Sequence, residues 1–269
     1  MAEYVHGYGE RENIRLEDQS GILEELIHPG TGYDEGEHVL EAGCGVGAQT
    51  VILAKRSPGT RFTAIDISEK SLKTAQARAA GKGLGTVRFE CGDVTALRFP
   101  DNSFDHIFAC FVLEHLADPH QALCELKRVL RPGGSLTAIE GDHGSCFWHP
   151  ETAASLAVWN AFIKVQRGPG HDPNIGRRLY PLIADAGFTV QDVSPRWVYG
   201  DAGKKQILDG MVNRIIVPMV QTGRDAMLKQ GLVDETTWRQ GIADLERSGT
   251  LPDGTFFYTW FKAIAVKRL

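Results

Sequence analysis

LEAGCGVG, residues 40–47, sets glycine at every second position immediately after a short apolar run. HVLEAG (38–43) reads as a buried strand and QTVILAKRS (49–57) as a helix, so the glycines fall in a strand-to-helix turn. The same alternation continues. RFTAIDIS (61–68) is a second strand, and SEKSLKTAQARAAGKG (68–83) is a helix with a Ser68 cap and glycines at its end. TVRFECGD (86–93) is a third strand, and SFDHIFACFVLEHL (103–116) a fourth running into helix. DPHQALCELKRVLRPGG (118–134) is a helix closed by Pro-Gly-Gly, and SLTAIEG (135–141) a fifth strand. Short apolar strands separated by helices predict a parallel sheet covered on both faces: an α/β, Rossmann-like, doubly wound architecture with ligands beyond the carboxyl ends of its strands.

Composition narrows the function. A chain of 269 residues with 42% hydrophobic content can bury a sizeable core, and a net charge of −5 without charge runs disfavours nucleic acid and anionic membranes as partners. No apolar run reaches the length of a membrane span, and MAEYVHGYGERENIRLEDQ is too polar for a signal peptide, so a cytoplasmic location is expected. Cys44, Cys91, Cys110, Cys124 and Cys146 form no CxxC pair and are read as free thiols.

Two cofactors compete for the glycine turn. GCGVGA satisfies the dinucleotide pattern GxGxxG/A, with Asp66 about 20 residues on where a ribose-binding acid belongs. The wider constellation separates the readings: Glu41 before Gly43, Gly92-Asp93 closing the third strand, Phe104-Asp105 opening the fourth, and Leu130 to Gly134 before the fifth. Across residues 36–141 this series resembles the class I S-adenosylmethionine-dependent methyltransferases. A pyrophosphate wants a helix N-terminus, whereas a sulfonium suits the acids Glu41, Asp66 and Asp93.

The resemblance implies S-adenosyl-L-methionine as cofactor, S-adenosyl-L-homocysteine as product, and a role for each position. Gly43, Gly45 and Gly47 let the backbone pass close to the methionine part, with Glu41 orienting their loop. Asp66, followed by Ile67, binds the ribose, and Asp93 with Val94 reads the adenine. Cys110, Phe111 and His115 line the sulfur and substrate side. Structural alternatives stand beside these: Asp66 capping the turn at Ser68, Asp93 in a simple turn, and Glu114-His115 as an exposed helix start.

The resemblance also implies seven strands, the last antiparallel and inserted between the fifth and sixth. IGRRLYPLIADAGFTVQDVSP (175–195) supplies the helix and sixth strand and GTFFYTWFKAIAVKRL (254–269) the seventh. One methyltransferase domain is expected over 1–269: a cofactor-covering helix region at 1–35, a cofactor core at 36–141, a helical substrate lid at 142–174 and 201–249, and closing strands at 175–200 and 250–269. Tyr8, Arg15 and Gln19 would meet the amino-acid tail of the cofactor.

For the chemistry, EGDHG (140–144) brings Glu140 and His143 to a strand end, where either could serve as base with Tyr8 orienting the acceptor. Phe147, Trp148, Trp197 and Tyr258 suit a flat aromatic substrate. The HGYGERE lead, EAGCGVGAQT and EGDHGSCFWHP together resemble a small-molecule subgroup, among it the indole-alkaloid C-methyltransferases of secondary metabolism. The expected partner is therefore a small molecule, with no nucleic acid and no membrane, and the protein a monomer or homodimer. Asp142, His143 and His149 lack a metal-binding spacing, so no metal is expected. The alternatives are a non-catalytic S-adenosylmethionine-binding regulator and an NAD(P)-dependent oxidoreductase.

Overall fold

The computed structural model describes residues 21–168 and 170–268; the candidates Tyr8, Arg15 and Gln19 lie outside them. A seven-stranded mixed sheet has the order β3-β2-β1-β4-β5-β7-β6, with the last strand antiparallel. Its strands are β1 (His38–Ala42), β2 (Arg61–Asp66), β3 (Val87–Cys91), β4 (Phe104–Cys110), β5 (Leu130–His149), β6 (Thr189–Asp201) and β7 (Thr255–Val266). Val39 pairs with Phe62 on one side and His106 on the other, in parallel register. The strand order reverses between β1 and β4, which places the ligand crevice of a doubly wound sheet at their carboxyl ends.

Helices follow helix 21–27 (α1) as α2 (Ala48–Arg56), α3 (Glu69–Gly81), α4 (Pro119–Val129), α5 (Ala153–Arg167), α6 (Leu179–Asp185), α7 (Lys205–Asp209), α8 (Val217–Thr222), α9 (Arg224–Lys229) and α10 (Glu235–Ser248). Their starts are written in side chains. Ser68, Asp118, Thr152 and Asp234 each accept the N–H of the third helical residue, and Pro119 takes the first position of α4, where a missing N–H costs nothing. Leu40, Ile65, Ile107 and Leu136 of the sheet are buried with Leu123 and Leu126 of α4 and Leu179 and Ile183 of α6 in one core. Emptying one large site there, as in Phe104→Ala, costs about 3–5 kcal/mol.

The described residues form two compact units. The sheet unit comprises Ile27–Gly141, Asn174–Arg196 and the chain from Trp260. The second unit holds residues 21–26, Asp142–Pro173 and Trp197–Thr259, and the boundaries fall within β5, β6 and β7.

Four element ends differ from the sequence expectation. α4 stops at Val129, because Pro132 drives the preceding residue away from helix and Leu130 already pairs with Phe104. Ser135 pairs with His106, so Arg131 to Gly134 bulge out between the two pairs. β4 ends at Cys110 and gives a 3-10 turn, Leu113–His115, instead of a helix. β5 runs on to His149 through residues expected to be helical, and β6 passes Pro195 to reach Asp201. As the terminal strand of the sheet, β6 tolerates a residue that cannot donate.

Candidate cofactor site

The glycine turn leaves β1 with Gly43, Gly45 and Gly47 all at positive φ. The three are not equivalent. A Cβ on Gly43 would lie 2.5 Å from Val112 Cγ2, and one on Gly47 would lie 2.9 Å from Ala75 of α3, so these two are needed for the packing of the protein itself. Gly45, at φ +52°, would place a Cβ in open space with no atom within 4 Å. The space beside its Cα is open, so a ligand can approach the loop there.

Asp66 ties the loop to the next strand. Its Oδ2 accepts the Gly45 N–H at 2.8 Å and its Oδ1 the Ser68 N–H at 2.8 Å. The structural alternative, a carboxylate capping the turn at Ser68, is thus realised, and each oxygen keeps a further lone pair for a ligand hydroxyl. Burial pushes the Asp66 carboxyl up, against the pull of those N–H groups. Next to it Ile67 is 47% exposed, an apolar side chain left open at a strand end. Asp93 Oδ1 accepts from the Thr95 N–H at 2.8 Å and the Thr95 hydroxyl at 2.7 Å, forming a turn, whereas Val94 is buried in the sheet core. The Asp93 side stays solvent-facing, and the Val94 side chain is occupied by packing.

Glu41 is buried on β1 beneath the loop. Burial raises its carboxyl to about 8, Thr50 beside it pulls down, and the charge of Asp66 adds to the rise. Such a group suits a cation that stabilises its ionised form. Cys110, at the end of β4, has its thiol pushed well up by burial and by Glu140, Glu41 and Glu114, with Lys262 opposing. Phe111 follows at φ +58°, a left-handed conformation that a bulky residue rarely adopts. What holds it there is on both sides. Its N–H donates to Ile139 O at 2.9 Å, and the next three N–H groups point at Glu140.

Glu140 is fully buried. Its Oε1 accepts from Val112 (3.0 Å) and Leu113 (2.8 Å), and its Oε2 from Glu114 (3.3 Å). Burial lifts its carboxyl to about 7 while the three N–H groups pull it down. Both oxygens being engaged with backbone, Glu140 fits the work of positioning the 111–115 turn. On that turn His115 Nε2 lies 3.5 Å from Glu114 Oε1.

The remaining candidates belong to the second unit. His143 Nδ1 lies 2.6 Å from the Tyr258 hydroxyl, its ring stacks on Phe162 and tilts against Trp159, and its carbonyl accepts the Trp159 indole N–H at 3.3 Å. Trp148 is buried and donates to Ser155 Oγ at 3.1 Å. Phe147 and Trp197 are 50% and 57% exposed. Phe147 and Trp148 are adjacent on β5 and must face opposite sides of it, so the four aromatic candidates do not line one surface: Trp148 and Tyr258 are interior, Phe147 and Trp197 exterior.

Sequence reasoning missed Lys262. It is 1% exposed on β7, and its ammonium donates to Ile27 O (3.3 Å), Pro29 O (2.9 Å) and Thr31 Oγ1 (2.5 Å), binding the end of α1 and the residues that follow it. Burial, with Arg196 and Arg56 nearby, lowers it to about 8. The signal was there: Phe256, Tyr258, Trp260 and Lys262 share one face of a strand by period two, and a lysine in a buried register needs partners. Among the described residues no cluster of three His, Cys, Asp or Glu could hold a metal, and no helix is long and apolar enough to cross a membrane.

A family model described as a methyltransferase domain matches residues 40–138, the stretch from the glycine turn to β5. Over that stretch the chain is similar to methyltransferase domains, in line with the class I S-adenosylmethionine-dependent resemblance of its motifs. S-adenosylmethionine is the cofactor that this resemblance implies, and the residues at the strand ends fit it: open space beside Gly45, a carboxylate at the end of β2, and a buried acid under the loop. The demethylmenaquinone methyltransferase of Tropheryma whipplei is 40% identical over 119 residues, 44% of this chain and 48% of that enzyme. An uncharacterised 37.1 kDa transposon protein of Streptomyces fradiae is 40% identical over 163 residues, 60% of this chain and 46% of that protein. Each of these two matches thus spans about half the length of the relative. A S-adenosylmethionine-dependent methyltransferase from Aquifex aeolicus superposes with a TM-score of 0.51 and 26% identity, over 69% of this chain and 92% of that one.

Proposed function

We propose that the protein transfers a methyl group to a small aromatic acceptor, such as an indole or phenol, with His143 as the base. The observation that carries this reading is the 2.6 Å contact of His143 Nδ1 with Tyr258 OH among Trp148, Trp159 and Phe162. Bound cofactor would supply an already activated methyl donor, so the protein has to align and desolvate more than to activate. Gly45, Asp66 and Asp93 would hold the cofactor, with Ile67 against its adenine, while the Glu140-anchored turn fixes Cys110 and Phe111. His143 would accept the proton that an N–H or O–H acceptor loses, and Tyr258 would fix the orientation of the imidazole. The remaining sequence candidates, Tyr8 among them, keep the roles that the family resemblance implies.

Incubation with S-adenosylmethionine and a pooled indole, phenol and amine library, read by mass spectrometry, tests this. The expected product is one aromatic acceptor heavier by CH2, formed much more slowly by His143→Ala. Cofactor binding without any product, or turnover unchanged in His143→Ala, contradicts the assignment.

A further inference from the structure

Where β5, β7 and β6 continue into the second unit, one face of the three strands is buried and the other is not. Trp148, Tyr258 and Val198 lie on the buried face at 3% exposure each. The other face carries Phe147, Phe257 and Trp197, one ring per strand, with Phe257 in the middle by the strand order. Phe147 and Phe257 stack at 4.7 Å with planes 11° apart, and Phe257 and Trp197 at 6.3 Å and 21°. Both outer rings are at least half exposed. A contiguous aromatic ladder on an open sheet face is uncommon on a monomer and marks a surface that is covered by something.

The charges beside the ladder say what. Two residues further along β6, Tyr199 lies under the ammonium of Lys204 at 5.6 Å. Two residues further along β5, His149 Nε2 lies 3.8 Å from Asp253, a largely exposed carboxylate. A cation therefore flanks one side of the ladder and an anion the other, at the same end of the strands. We propose that this face is the contact between two copies of the chain, related by a two-fold axis running along β7. Such an axis lays Phe257 on its own copy and Trp197 on the partner's Phe147, and it brings Lys204 over the partner's Asp253, twice per dimer. The contact is self-complementary, as a two-fold interface must be. A lipid surface would instead ask for a cationic rim on both sides, and edge-to-edge pairing through β6 is opposed by Pro195, which has no N–H to give.

Sedimentation velocity of the full chain across the micromolar range tests the proposal. Wild type is expected to dimerise and Phe257→Asp to be monomeric. Lys204→Glu and Asp253→Lys should each weaken the dimer by about tenfold or more, since each places two like-charged contacts in the interface. The combined Lys204→Glu, Asp253→Lys chain should return to within about threefold of wild type; rescue of this kind cannot come from misfolding. A wild type that stays monomeric at the highest concentration, a monomer that instead binds anionic vesicles through the ladder, or a dimer that all three single variants leave unchanged overturns it.

Discussion

Replacing Glu140 by alanine removes the acceptor of three backbone N–H groups at once, and its cost follows from what is left behind. Leu113 and Glu114 are buried, at 2.8 and 3.3 Å from the carboxylate, while Val112 at 3.0 Å is half-buried. An orphaned buried donor costs about 1–3 kcal/mol, which gives about 2–6 kcal/mol for the two buried ones. Water entering the space left by the carboxyl recovers part, so about 2–4 kcal/mol is expected. Sign matters for pH. Burial raises Glu140 from its ordinary 4.5 to about 7, so the folded protein holds more protons than the unfolded chain between those values. Its contribution is then most favourable at low pH and declines as pH rises through about 7. The loss in Glu140→Ala should accordingly be larger at pH 5 than at pH 8. Urea unfolding followed by tryptophan fluorescence at both pH values measures it, with amide exchange at 112–114 locating the effect. Glu140→Gln keeps one acceptor oxygen, so it should cost only about 1 kcal/mol and leave turnover substantially intact, which a general base would not. A loss below about 0.5 kcal/mol in the alanine variant, or a loss that grows from pH 5 to pH 8, refutes the reasoning.

Other substitutions separate ligand contacts from packing. Gly45→Ala should cost the fold only the left-handed strain of about 1–2 kcal/mol yet weaken S-adenosylhomocysteine binding in calorimetry. Gly43→Ala should cost more in thermal unfolding, because its Cβ meets Val112 at 2.5 Å as well. Lys262→Met leaves the Ile27 and Pro29 carbonyls unpaired and should destabilise by about 2–4 kcal/mol, with faster amide exchange at residues 27–31 as the local readout. Glu41, held near 8 by burial, should make wild type lose stability from about pH 5 to pH 8; Glu41→Gln should flatten that part of the urea-midpoint profile.

Much of this was legible because it is local. The strand-glycine-helix turn, the Ser68 cap and the alternation of short apolar runs with helices each occupy a few residues and carry their own physical signal. The parts that were not legible depend on distant partners. β5 continues to His149 because Ser145 Oγ accepts the Thr259 N–H and Phe147 stacks on Phe257, more than 100 residues away. No window around HGSCFWH contains that information. The same holds for Glu140. Its sequence neighbours suggested a strand-end acid beside a histidine, whereas its partners are the N–H groups of 112–114, which a left-handed Phe111 turns towards it. In the site, residue type showed which strand ends bear carboxylates but not how they are already engaged: Asp66 and Asp93 each serve the backbone as well.

The central claim is that the strand ends of the sheet unit hold S-adenosylmethionine through the glycine turn and Asp66. Isothermal titration with S-adenosylhomocysteine tests it most directly, run on wild type and Asp66→Ala with NAD as the control. One-to-one binding by wild type, at least about tenfold weaker in the variant, and no heat with NAD is the predicted result. No binding by folded wild type, or equal affinity in Asp66→Ala, contradicts it.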